Sequence, residues 1–180
     1  PLAAVNARQY YSDQIRAALM DKGFSEVITT SFQKKGDLQL LNSLASDKSC
    51  LRESLRKNIT GVLDANFAHC DLLGVSDVRV FEIGTVFEKV EGGVGEYTAL
   101  ALGARTKGNG YHSKDDQVLE EGMEIVEKTL GTKLSWHSEK GVAELNLAAA
   151  LETLPTPSAY ETYVKRESMT YQRVSQYPAI

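Results

Sequence analysis

Apolar positions recur along this chain in two rhythms, one near 3.6 residues and one near two. Between residues 6 and 22, Tyr11, Ile15, Ala18 and Leu19 follow the i, i+4, i+7, i+8 spacing that gathers side chains on one helix face. Gly23 stops that helix, as a left-handed C-terminal residue does. Residues 24–32 are rich in β-branched and aromatic side chains and predict a strand. A short apolar run at 38–41 and a small polar loop at 42–49 lead into a second helix. It is predicted over 51–73 from Leu55, Ile59, Val62, Leu63 and Phe67, with Arg52, Arg56, Lys57 and Asp64 at polar positions, and it should pack on a sheet.

A strand is expected over 78–88, where Val78, Val80, Ile83, Val86 and Phe87 change phase near Gly84 and suggest a bulge. Gly92, Gly93 and Gly95 turn the chain into another buried strand over 97–104, making an antiparallel hairpin. Val118, Met123, Ile125, Val126 and Leu130 predict a helix ended by Gly131. Short strands are expected at 134–136 and 142–147, then a loop at Pro155 and Pro157 and an extended segment at 169–174. Helices interrupting hairpin-linked strands point to the α+β class.

Composition narrows the picture. With 180 residues, 42% of them hydrophobic, the chain can build one core, so a single domain over 1–180 is expected. Pro1 stands where an initiator methionine would, and the chain stops at Tyr177-Pro178-Ala179-Ile180, so it reads as excised from a longer chain. Twenty basic against 24 acidic residues leave −4, which argues against strong autonomous binding to nucleic acid. Cys50 and Cys70 form neither a disulfide framework nor a zinc motif, so a cytoplasmic setting is expected. No apolar run approaches the roughly 20 residues that span a bilayer.

Catalytic patterns fail one by one. Gly103-x4-Gly108 begins like a phosphate-binding loop, but Asn109 and Gly110 stand where Lys and Ser or Thr are required. Gly93-Val94-Gly95 precedes a strand, which leaves no helix N-terminus for a pyrophosphate. His69 and Cys70 are neighbours about 100° apart on a helix, unsuited to a thiol–imidazole pair. His112 and His137 lack the partner spacing of a helical metal site. Asp115-Asp116 and Glu120-Glu121 read as solvated charges near a helix start.

Three stretches, in order, resemble the β subunit of bacterial phenylalanine–tRNA ligase (phenylalanyl-tRNA synthetase) in its catalytic-like module. The first is Asp21-Lys22-Gly23-Phe24-Ser25-Glu26-Val27-Ile28-Thr29-Thr30-Ser31-Phe32, similar to the family's Gly-Phe-x-Glu-Val opening. The second runs from Asn42-Ser43-Leu44-Ala45-Ser46 to Leu51-Arg52-Glu53-Ser54-Leu55, similar to an Asn-Pro-Leu-Ser loop and a Leu-Arg-x-Ser-Leu helix start. The third is Val78-Arg79-Val80-Phe81-Glu82-Ile83-Gly84-Thr85-Val86-Phe87, similar to a Phe-Glu-Ile-Gly-x-Val-Phe strand. Weaker likeness continues at 121–124, at Ala143-Glu144-Leu145-Asn146-Leu147 and at 175–179. Ser43 departs from the family's proline, and Arg56-Lys57 from its apolar-proline step.

The resemblance implies an α+β fold of the class II aminoacyl-tRNA synthetase type, an antiparallel sheet flanked by helices. It also implies a β chain that does not itself activate the amino acid. In that picture ATP, magnesium, phenylalanine and the acyl transfer belong to the α subunit, two α and two β chains form the enzyme, and the whole enzyme contacts tRNA(Phe). The residues agree: the strand at Phe81-Glu82-Ile83-Gly84 lacks the expected arginine, and no Gly-x-Gly-x-x-x-Arg occurs. The family-motif positions Gly23, Phe24, Glu26, Arg52, Ser54, Phe81, Glu82 and Gly84 are therefore expected to be structural, with no catalytic, cofactor or metal role. The alternative is a degenerate domain that binds a small ligand or acts as a stand-alone interaction module, with Arg52 and Glu82 as remnants of a pocket. Arg52, expected at the start of the second helix, would need a nearby carboxylate or carbonyl. Glu82 points away from Phe81 and Ile83 on a regular strand and would be exposed or paired. The first helix is expected in the subunit interface, one of Tyr10 and Tyr11 facing the sheet and the other a partner.

Overall fold

The computed structural model describes residues 5–43, 45–107 and 114–159. Helix α1 (Ala7–Asp21) is capped by Asn6, whose side chain accepts from Gln9 N at 3.1 Å. Gly23, at φ +80°, ends it in a Schellman arrangement, with Gly23 N donating to Met20 O and Phe24 N to Leu19 O. Phe24 supplies the apolar contact of that motif and is buried with Ile15 and Leu19. Tyr11 is buried with its hydroxyl donating to Pro155 O at 2.6 Å. Tyr10 is half-buried against the same core, its ring edge-on to that of Tyr11.

The strand expected over 24–32 is broken into two pieces, β1 (Ser25–Glu26) and β2 (Phe32–Gln33), which belong to different sheets. The backbone between them is diverted because Thr29 and Thr30 bond to Arg52, Asn58 and Glu82 instead of a ladder partner. Strand β2 pairs with β3 (Cys50–Leu51). The second helix is shorter than 51–73: α2 spans Arg56–Phe67, and a separate turn, α3, spans Cys70–Leu73. Arg52 thus follows a strand and precedes α2 by several residues, so the unfavourable dipole expected for it does not arise.

Strands β4 (Asp77–Val90) and β5 (Gly93–Thr106) pair in one unbroken antiparallel register, Asp77 opposite Thr106 and Val90 opposite Gly93. The bulge expected at Gly84 is absent; that glycine answers a need for space, described below. Gly92, at φ +86°, makes the turn, while Gly93 and Gly95 lie within β5. Helix α4 (Asp115–Leu130) ends at Gly131, φ +69°. Strand β6 (His137–Glu139) begins later than the expected 134–136, because Leu134 and Trp136 pack against the main core. Strand β7 (Val142–Asn146) runs into α5 (Leu147–Glu152), a helix too short to announce itself by periodicity and capped by Asn146. The segment expected at 169–174, the likeness at 175–179, His112 and Leu44 lie outside the described residues.

The main sheet has the order β1-β4-β5-β7-β6. Its pairs are antiparallel, as expected, with one parallel edge strand, β1 beside β4. A parallel neighbour needs a crossover, and residues 27–76 supply it with α2 on the way. Phe81, Leu100, Leu102, Ala143 and Leu145 face α1, α4 and α5. Val80, Val86, Ala99, Ala101 and Val142 face α2.

Gly103 lies on the α2 face, where an added Cβ would come within 2.5 Å of Ile59 Cγ2 and 3.0 Å of Leu63 Cδ1. Helix α2 therefore approaches β5 as closely as it does because this position has no side chain. Gly103→Ala is expected to lower the unfolding free energy by about 1–3 kcal/mol, the usual cost of overpacking, measured by urea denaturation.

Candidate functional site

An unpaired charge inside a protein is costly, so a buried arginine and glutamate must find each other or equivalent partners. Arg52 and Glu82 are 3% and 2% exposed. Arg52 Nη1 donates to Glu82 Oε1 at 2.9 Å. Glu82 Oε1 also accepts from Thr29 N at 3.2 Å, and Oε2 from the Thr29 hydroxyl at 2.6 Å. Arg52 Nε donates to Thr85 O at 2.8 Å, and Nη1 also to Thr29 Oγ1 at 2.9 Å and Thr29 O at 3.2 Å. From α2, Asn58 Nδ2 donates to Thr29 Oγ1 at 2.8 Å and Thr30 O at 2.9 Å. The Thr29 hydroxyl thus gives its one proton to Glu82 and accepts from both Arg52 and Asn58, which is all a hydroxyl can do.

Gly84 completes this cluster by omission. A Cβ there would lie 2.6 Å from Arg52 Nη2 and 3.0 Å from Glu82 Oε1. The backbone of Arg52 is held as well, its N–H donating to Ser31 O and its carbonyl accepting from Phe87 N. Nε and Nη1 are committed within the protein, and Nη2 lies over Gly84. The cluster binds three chain segments together.

A second node lies on the same sheet face. Glu144, on β7, accepts from Leu55 N at 2.9 Å and from the Ser54 hydroxyl, and pairs with Arg56 Nε at 3.3 Å. Ser54 Oγ accepts from Arg56 N at 3.1 Å, but Leu55 at the N-cap of α2 supplies no side-chain cap and the first turn has no acidic residue. The carboxylate of another strand fills that role at the positive end of the helix dipole. Tyr97, on the same face, has its phenol pKa pushed above the ordinary 10.0 by burial, with the carboxylates of Glu144 and Glu88 adding to it.

Of the family-motif positions, the structure brings Arg52, Glu82 and Gly84 together and puts Ser54 at the second node. Gly23 and Phe24 end α1, Glu26 accepts from Arg16 Nε at 2.8 Å, and Phe81 is buried on the opposite sheet face. The sequence reading missed Thr29, Asn58 and the role of Glu144. Glu144 sits at an inward position of an alternating strand, as Glu82 does, and a carboxylate there is the signal that could have found it. His69 is exposed while Cys70 is fully buried, so they form no reactive pair. Asp115 accepts from the amide and hydroxyl of Thr106. Among the described residues no three His, Cys, Asp or Glu side chains converge on a point where a metal ion could sit. None of the described helices is long and apolar enough to cross a membrane.

Residues 2–130 match the family model of the phenylalanyl tRNA synthetase beta chain CLM domain. The chain belongs to this family. It is 35% identical over 98 residues to the chloroplastic phenylalanine–tRNA ligase beta subunit of Porphyra purpurea, covering 54% of this chain and 13% of that protein. It is 35% identical over 97 residues to the phenylalanine–tRNA ligase beta subunit of Ehrlichia canis (strain Jake), covering 48% of this chain and 12% of that one. The fold is similar to pyrrolysyl-tRNA synthetase from Desulfitobacterium hafniense, with a TM-score of 0.53, 21% identity, and 74% of this chain and 50% of that chain covered. It is also similar to an ATP phosphoribosyltransferase regulatory subunit/histidyl-tRNA synthetase from Bacillus halodurans C, with a TM-score of 0.52, 15% identity, and 74% and 37% covered. These likenesses show the class II synthetase-like α+β fold. The stretch matching the phenylalanyl-tRNA synthetase β-chain family holds both members of the buried ion pair, whereas β6, β7 and α5, and so Glu144, lie beyond it.

Arg52→Ala and Glu82→Ala are each expected to cost about 3–5 kcal/mol in chemical denaturation, because the surviving charge is left buried and unpaired. The double change Arg52→Met/Glu82→Leu should cost less than the sum of the two. For Tyr97, a raised folded-state pKa means that the unfolded chain loses its proton first as pH climbs. The contribution is whole below the ordinary phenol pKa and is lost as pH rises through the folded value. Tyr97→Phe is therefore expected to flatten the alkaline decline in Tm above about pH 10.

Proposed function

We propose that this chain is a non-catalytic structural module of a phenylalanine–tRNA ligase β subunit, which pairs with and positions the α subunit that attaches phenylalanine to tRNA(Phe). The observation that carries this reading is the closure of the Arg52–Glu82 cluster. Among the described residues the buried arginine on the α2 side of the sheet, Arg52, spends Nε and Nη1 on Thr85, Thr29 and Glu82. An arginine that stabilises charge on a transferring phosphoryl group must keep its donors aimed at that group. The residues present therefore do not fit an ATP site, and no step of the reaction is assigned to them.

On this reading ATP, magnesium and phenylalanine are held by the α subunit, in an assembly of two α and two β chains. Contact with tRNA(Phe) belongs to that whole assembly, in keeping with this segment's net charge of −4. A cytoplasmic setting is supported by two buried, unpaired cysteines. Helix α1 is read as part of the subunit contact, its solvent side carrying Gln9, Asp13, Ala17 and Met20.

The isolated chain is expected to show no phenylalanine-dependent pyrophosphate exchange and no heat of ATP or phenylalanine binding in calorimetry, and to co-purify with its α subunit. Exchange abolished by a point mutation in this chain would overturn the reading.

A further inference from the structure

We draw no further inference here: the strongest candidate, the partly open apolar side of the small β2–β3 sheet where Phe32 lies opposite Leu51, carries nothing because nothing in the structure shows what covers it.

Discussion

Everything on the α2 side of this domain is arranged around one buried ion pair. Arg52 comes just before α2, Glu82 from the middle of β4, and Thr29 from the segment leaving β1. None of these segments lies next to another in sequence. Had the pair been replaced by apolar groups, the crossover could still cover the sheet, but Thr29 would lose both charged partners that fix its place in the 27–31 segment. Polar partners have directions that apolar ones lack. Nine-tenths-buried charges impose those directions strictly, because a misplaced donor leaves a charge unsatisfied.

Helix α2 is consequently positioned by two carboxylates from two strands. Glu82 holds it through Thr29 and Asn58, and Glu144 holds the amide of its N-cap residue, Leu55, directly. Between these points the helix rests on Gly103, Ala99 and Ala101, small residues that let it lie close to β5. The opposite face is built from larger side chains, Phe81, Leu100, Leu102 and Leu145, against three helices. The sheet thus separates a thick apolar layer from a thin one stitched by polar groups. Half of the family-motif positions, Arg52, Ser54, Glu82 and Gly84, fall on the stitched side.

Much of this was legible in the sequence. The start and stop of α1, the long hairpin, α4 with its glycine end and the class II-like α+β layout follow from periodicity, turn residues and family motifs. What was not legible had a common cause. The strand expected over 24–32 has the right residue types, but Thr29 and Thr30 give their hydrogen bonds to side chains that arrive from elsewhere. The helix expected from residue 51 has the right apolar spacing, but Leu51 and Arg52 are claimed by β2 and by Glu82. Gly84 looked like a bulge because phase is lost there, and the register shows instead that the neighbouring guanidinium needs the room. Local pattern reports what a segment could form alone, and it fails where a distant charge outbids it.

The edges of the main sheet set how this domain can meet other molecules. Its outermost strands are β1, with two residues, and β6, with three, and every one of those residues is exposed and polar: Ser25, Glu26, His137, Ser138 and Glu139. Short, charged edges offer an incoming strand too few backbone groups to form a ladder. At β1 and β6 a copy of the chain cannot readily extend the sheet sideways, even when the domain stands apart from its neighbours. Association is thereby steered to side-chain surfaces, where shape and charge choose the partner, and away from open-ended stacking, where any β-strand would serve.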